Sequence, residues 1–402
     1  MLSFMLKPTG FKCNIKCDYC FYLEKAQFMS SDKASQSMSM QIASVFIRQH
    51  IAQSEEQDVY FTWQGGEPLM AGLAFFEAVI RIQRRFAAQY HKTVHNAIQT
   101  NGILINAKWA EFFRRHRILI GISIDGDEEL HDRYRLSCSG KGTFQQVKQA
   151  VGLLKAHQVA FNTLTVINNI NAAYPLRVYT FLKQLGSRHM QFIPVVETHG
   201  LDQNFKPGWL SAGSIIPLTT AFSVGAEQYA DFIKAVFDEW LAKDIGKISV
   251  QLFESIFARF CGVDALMCIY RQHCGGENLA LEANGDVYAC DHFVYPDYKL
   301  GNITTLSEAE IQQQSTALSA QKADLNRACN ECKWKVLCHG GCPKHRFITN
   351  QYGERHNYFC LAYQQIFQHL TPAMNFMVTL KEQNVPLEWI KSYRDRIYPQ
   401  QM

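Results

Sequence analysis

Cys13, Cys17 and Cys20 stand in one short segment, Cys13-Asn14-Ile15-Lys16-Cys17-Asp18-Tyr19-Cys20, followed by Phe21-Tyr22. Three thiolates so closely spaced can hold three corners of a [4Fe–4S] cube. Full ligation of such a cube takes a fourth cysteine, and no further Cys or His precedes His50. One iron is therefore left open to a small molecule. A zinc knot or a disulfide loop would use the same residues, but a structural zinc site needs a fourth ligand close by.

A second cysteine set lies far downstream. Cys268 precedes Cys274, Gly285 and Cys290, which read as C-x10-G-x4-C. Cys329, Cys332, Cys338 and Cys342 read as C-x2-C-x5-C-x3-C, with Cys360 beyond them. Eight thiolates can fill the ligand positions of two cubes, or of two zinc sites, which accept thiolates equally well. Cys138 and Cys261 fit neither pattern and read as ordinary reduced thiols. Thirteen cysteines in 402 residues are too many for an ordinary cytosolic enzyme, and the chain is too long for a small secreted disulfide scaffold. Residues 1–10 lack an apolar signal core, and no apolar run reaches the length of a membrane span. Reduced thiols acting as metal ligands in the cytoplasm are therefore expected, with no membrane partner. The net charge of +4 and the lack of a dense Lys/Arg run speak against nucleic acid as the main partner.

The elements that position these residues follow from the hydrophobic pattern. Candidate strands cover residues 3–7, 58–63, 94–99, 118–124, 160–167 and 189–195. Amphipathic helices are expected over 40–53, 74–90, 107–115, 143–157 and 173–185. Strand followed by helix, repeated six times, predicts a parallel sheet covered by helices, with its chemistry at the carboxyl ends of the strands. The cluster loop follows the first strand there, and Gly65-Gly66-Glu67-Pro68 follows the second. Thr100-Asn101-Gly102 ends the third, and Ser123 with Asp125-Gly126 ends the fourth. The pattern breaks at residues 198–219, rich in Gly, Pro and Ser around Trp209. A loop of this length is usually functional, and it is expected to roof the substrate groove. Helical patterns return at 226–243 and 249–260, and the tail over 363–399 again reads as helical.

The CxxxCxxC segment, with an aromatic residue before its last cysteine, resembles the radical S-adenosylmethionine (SAM) enzymes. That resemblance implies a partial (β/α)6 TIM-type barrel of α/β class over residues 1–225. It implies that the open iron chelates the methionine end of SAM, and that Gly65, Gly66 and Glu67 contact the methionine amino group. Gln64, Ser123 and Arg135 are further candidate SAM contacts. Arg135 has the fork geometry to pair with a carboxylate, though a surface arginine on a charged loop would look the same. The downstream cysteines resemble the SPASM domain, expected over residues 261–365, after a helical linker at 226–260 and before a helical tail at 366–402. By that resemblance Cys268, Cys274, Cys290 and Cys342 hold an inner auxiliary cluster. Cys329, Cys332, Cys338 and Cys360 hold an outer one, making three [4Fe–4S] clusters in all.

Lys7-Pro8-Thr9-Gly10, Cys20-Phe21-Tyr22-Leu23-Glu24-Lys25, Trp63-Gln64-Gly65-Gly66-Glu67-Pro68 and Met190-Gln191-Phe192-Ile193-Pro194 stand together as in the anaerobic sulfatase-maturating enzymes. The resemblance implies oxidation of one Cys or Ser of a sulfatase to Cα-formylglycine. A 5′-deoxyadenosyl radical removes hydrogen from Cβ, a base takes the thiol or hydroxyl proton, and an auxiliary cluster takes one electron. Asp291, directly after Cys290, is the implied general base, and Tyr22 matches a position lining the active site. The implied partners are a sulfatase or other peptide bound as an extended segment and an electron donor of flavodoxin or ferredoxin type. Maturases that crosslink ribosomal peptides share the barrel and the SPASM set. They commonly carry a winged-helix recognition domain at the amino end, whereas the first strand here begins by Ser3. A non-catalytic iron–sulfur or zinc scaffold is the third reading, and it would leave the Gly-Gly-Glu-Pro segment and the open iron without a purpose.

Overall fold

Val59, Phe61 and Trp63 are buried while Asp58 and Tyr60 are exposed, and this period of two makes Asp58–Trp63 a strand. The computed structural model describes residues 3–23, 25, 37–198, 219–274 and 278–398. In chain order its main strands are β1 (Phe4–Leu6), β2 (Ile15–Cys17), β3 (Asp58–Trp63), β4 (Thr93–Thr100), β5 (Leu119–Ser123), β6 (Arg135–Ser137), β7 (Phe161–Ile167), β8 (His189–Pro194), β9 (Ser249–Val250), β10 (Leu279–Leu281), β11 (Asp286–Tyr288) and β12 (Lys299–Asn302). The main helices are α1 (Met40–Gln53), α2 (Leu73–Tyr90), α3 (Ala107–His116), α4 (Phe144–Ala156), α5 (Pro175–Leu185), α6 (Ala226–Glu239), α7 (Gln251–Phe260) and α8 (Cys360–Glu382).

The chain forms two compact units. The first comprises Met1–Ile124, His131–Asn162 and Cys274–Ala320, the second Asp125–Leu130, Thr163–His273 and Gln321–Met402. Both the front half of the chain and its cysteine-rich segment contribute to each unit, so these units follow a different partition from the linear blocks expected from sequence.

In the first unit the strand order is β12-β11-β10-β1-β3-β4-β5. β1, β3, β4 and β5 run parallel, and β10 joins the outer side of β1, also in parallel. β10, β11 and β12 form an antiparallel meander. Helix ends are set locally. Ser39 caps α1 by accepting from Ile42 N at 3.2 Å, and Asn106 caps α3 through Lys108 N and Trp109 N. Arg114, Arg115 and His116 in the last turn of α3 suit the negative end of its dipole. Trp63 of β3, Phe76 of α2 and Trp109 of α3 meet edge to face, with centroids 5.5 and 5.7 Å apart, and fix these helices on the sheet.

In the second unit β7, β8 and β9 are parallel. The pattern expected over 173–185 divides. A 3-10 turn, Asn171–Ala173, ends at Tyr174, and α5 starts at Pro175, where a missing N–H costs nothing. The stretch 226–243 is α-helical to Glu239 and then widens into a π turn, Trp240–Asp244, with Trp240 Nε1 donating to Ile248 O at 2.7 Å. Ser249–Val250 extends the sheet as β9, so α7 begins only at Gln251. The tail helix starts at Cys360, earlier than the pattern suggests, and runs through Pro372. The expected roofing loop lies, from residue 199 to 218, outside the described residues. Its flanks Thr198 and Thr219 form an antiparallel bridge.

Candidate active site and cluster ligands

The first cysteine loop is held by a ladder that sequence reading missed. β2 pairs antiparallel with β6, which sets Cys17 directly opposite Arg135. Arg135 is buried, with its guanidinium 4.0 Å from Cys17 Sγ and 5.4 Å from the ring centre of Tyr19. Asn101, at the end of β4, donates to Asn14 Oδ1 at 2.7 Å and reaches Cys13 Sγ at 3.7 Å. Cys20 closes a turn onto Cys17 O at 3.0 Å. Burial pushes the Cys13 thiol up to about 11, so binding a metal there releases a proton. All thirteen cysteines are free of disulfides.

Gly65 and Gly66 lie against this loop. Gly66 N donates to Gly10 O and Glu67 N to Lys12 O, each at 2.8 Å. A Cβ on Gly66 would stand 1.9 Å from Lys12 O, so only glycine allows this approach. Glu67 is fully buried and accepts from Leu69 N, Thr100 Oγ1 and Asn101 N at 3.0, 2.7 and 2.8 Å. Burial nevertheless raises its carboxyl to about 7. These bonds hold both carboxylate oxygens within the protein, so in this structure Glu67 fastens the glycine turn to the ends of β3 and β4. Gln64 follows β3 and donates its backbone N–H to Leu6 O at 2.8 Å. Ser123 Oγ, at the end of β5, accepts from Gln99 Nε2 at 2.9 Å.

Asp291 and Tyr22 share a third constellation within the first unit. Asp291 Oδ1 lies 3.5 Å from Cys290 Sγ, and its Oδ2 lies 3.7 Å from Lys7 Nζ. The same ammonium sits 4.5 Å from the ring centre of Tyr22. The Tyr22 hydroxyl donates to Glu282 Oε1. Register explains the grouping: Leu6 pairs with Leu281 across the parallel β1–β10 ladder, and Lys7 N donates to Leu281 O. Lys7 and Glu282 therefore leave the sheet side by side at its carboxyl edge. Tyr22 also packs with Ala280, Tyr288 and Val294. Sequence reading missed Lys7 and Glu282 as site residues. The available signal was a charged residue directly after each short apolar strand.

Cys329, Cys332, Cys338 and Cys360 line one cavity of about 100 Å³ in the second unit, together with Trp334 and Phe367. Trp334 N donates to Cys332 Sγ at 3.4 Å and Gln364 Nε2 to Cys360 Sγ at 3.3 Å. Burial pushes the Cys338 thiol up to about 12, with Cys360 and Cys329 raising it further. Crowded thiols are stable as thiolates only around a cation that compensates them, and four sulfurs on one cavity fit a fully ligated cube. Among the described residues no three His, Cys, Asp or Glu side chains converge closely enough to hold a single metal ion. A cube instead takes its thiolates on separate irons.

Residues 8–182 match the Radical SAM superfamily, and residues 268–333 match SPASM, the iron–sulfur cluster-binding domain. The serine-type anaerobic sulfatase-maturating enzyme of Bacteroides thetaiotaomicron is 39% identical over 98% of this chain and 95% of its own. This chain belongs to the anaerobic sulfatase-maturating enzymes. The cysteine-type enzyme of Clostridium perfringens is 29% identical over 93% of this chain and 97% of its own. The solved structure of native anSMEcpe with bound AdoMet and Cp18Cys peptide aligns with a TM-score of 0.81 at 28% identity, covering 94% of this chain and 99% of that one.

Membership fixes the fold class as α/β, with a radical SAM core and a SPASM domain. It fixes the cofactors as [4Fe–4S] clusters and SAM, and the substrate class as a peptide or protein. In this maturating enzyme Cys274 and Cys290 belong to the first unit, and Cys268 and Cys342 to the second. Cys138 is exposed and Cys261 half-buried. Among the described residues no helix is long and apolar enough to cross a membrane.

Proposed function

We propose that this chain oxidises one cysteine or serine of a sulfatase to Cα-formylglycine. The observation that carries the reading is the 39% identity to a serine-type maturating enzyme over nearly the full length of both chains. The site agrees with it: Asp291 stands beside Cys290 and is paired with Lys7. When bound, SAM and the clusters supply a 5′-deoxyadenosyl radical that removes one hydrogen atom and an acceptor for one further electron.

The chain's own residues do the rest. Cys13, Cys17 and Cys20 would hold the cluster to which SAM binds. Gln64, Gly65, Gly66, Ser123 and Arg135 form the SAM-facing set, with the glycine turn seated against the backbone of Gly10 and Lys12. Cys268, Cys274, Cys290 and Cys342 hold the inner auxiliary cluster, and Cys329, Cys332, Cys338 and Cys360 the outer one, giving three clusters. Asp291 takes the thiol or hydroxyl proton of the target residue, with Lys7 fixing its carboxylate and Tyr22 packed beside them. The target enters as an extended peptide segment. Reduction comes from a flavodoxin or ferredoxin-type donor, in the cytoplasm where the thiols stay reduced.

The test is mass spectrometry of sulfatase peptides, one with serine and one with cysteine at the target, after anaerobic turnover. Loss of two hydrogens from serine, or exchange of the thiol sulfur for an aldehyde oxygen at cysteine, supports the reading. A crosslinked peptide, or no change in either peptide while 5′-deoxyadenosine accumulates, overturns it.

A further inference from the structure

Glu282 is only 2% exposed. Its Oε1 accepts from the Tyr22 hydroxyl, and its Oε2 is buried with no hydrogen-bond partner. Buried polar atoms are nearly always hydrogen-bonded, so this carboxyl oxygen calls for an explanation. Its neighbours supply one. Lys7, itself 2% exposed, stands over the Tyr22 ring and is paired with Asp291. Tyr22, Lys7 and Asp291 thus form a chain of contacts that ends at the atom beside Cys290, and Glu282 is the anchor at its other end.

We propose that Glu282 is a positioning residue for the oxidation. It holds the Tyr22 phenol, the phenol ring seats the Lys7 ammonium, and Lys7 sets where the Asp291 carboxylate points. This rests on the proposed function above, because it assigns Asp291 a proton to take. The anchoring is a matter of reach. The β1–β10 register brings the Glu282 backbone to the sheet edge beside Lys7. Gly285 N donates to Glu282 O and Glu282 N to Asp286 O, at 2.9 and 2.8 Å, which fixes that backbone in a tight turn. The side chain must then span the remaining distance to the phenol. A side chain of the same length with an oxygen to accept from the phenol serves the same anchoring role.

The test compares Glu282→Gln with Glu282→Asp in the reconstituted holoenzyme, reading formylglycine formed per 5′-deoxyadenosine and the kcat and KM for the peptide. Gln keeps the length and an oxygen for the phenol, whereas Asp keeps the acid and withdraws it by one methylene. The expected result is that Gln retains wild-type coupling. Asp loses about tenfold or more in product per 5′-deoxyadenosine, through kcat rather than KM, since small misplacements of a reacting group cost this much or more. Iron and sulfide contents stay at the wild-type level in both. Wild-type coupling in the Asp variant overturns the proposal, and so does a Gln variant as uncoupled as Asp. Absence of formylglycine from the wild-type protein would instead count against the proposed function, so the two failures are distinct.

Discussion

The ammonium of Lys7 lies 3.7 Å from Oδ2 of Asp291, and the two side chains are 2% and 15% exposed. Neither residue owes this pairing to sequence proximity. It arises because β10 adds to β1 in parallel and β11 runs back antiparallel along β10 into the Cys290–Asp291 segment. An ion pair so withdrawn from water is held in place far better than one on the surface. It presents one carboxylate in a fixed orientation beside Cys290.

Asp291→Asn keeps the shape of this group and removes its proton acceptor. Hydrogen abstraction needs no base, so 5′-deoxyadenosine still forms, while formylglycine falls by roughly 10²–10⁴-fold, the usual worth of a positioned base. Liquid chromatography of the nucleoside and mass spectrometry of the peptide, run on the same reaction, give both numbers. Near-normal formylglycine yield from a fully loaded variant would exclude Asp291 as an essential base.

Replacing Cys13, Cys17 and Cys20 together by Ala removes one cluster. The reconstituted protein is expected to bind about twelve irons, four for each of three cubes, and the triple variant about eight. SAM cleavage disappears with them. Stoichiometric zinc without acid-labile sulfide in the natively purified protein would contradict the whole ligand assignment.

The elements that carry this site are largely legible in the sequence. Asp58–Trp63 and Met40–Gln53 fall where the periodicity puts them, because each is long enough for its repeat to show and α1 has a Ser cap. The cysteine spacing and the glycine pair carry their chemistry in local order. The β2–β6 ladder was not legible, since a strand of three residues is too short for its alternation to stand out. Glu282 escaped for a different reason. Its bond to Tyr22 joins residues 260 positions apart and depends on a parallel register that no single sequence reveals.

Gly66→Ala tests the close approach of the glycine turn. The added Cβ would meet Lys12 O at 1.9 Å, so the backbone must shift by more than a side chain can absorb. Overpacking of this kind costs about 1–3 kcal/mol. The displaced turn should weaken SAM binding while leaving the cysteine-bound iron in place. Equilibrium dialysis with SAM checks the first and iron analysis the second. Unchanged SAM affinity would mean that the turn does not shape the SAM site.

The last prediction follows the two buried carboxyls with pH. Glu282 is raised from 4.5 to about 7 by burial, then by Asp286 and Asp291, against the opposing influence of the Tyr22 hydrogen bond and of Lys7. Glu67 is raised from 4.5 to about 7 by burial, against the three donors that face it. In each case the folded chain holds the proton more tightly than the unfolded chain does. The stabilisation is therefore full below pH 4.5 and is lost as the pH rises through about 7, by up to about 3 kcal/mol per group. Infrared titration of the folded protein should show protonated-carboxyl absorption growing as the pH falls from 8 to 6. Glu282→Gln should remove one component and Glu67→Gln the other. The melting temperature of the wild type should fall as the pH rises from about 4.5 to about 7, and less steeply in either variant. Absence of protonated-carboxyl absorption down to pH 6 would mean that both groups stay ionised, and that Lys7 and the backbone donors outweigh burial.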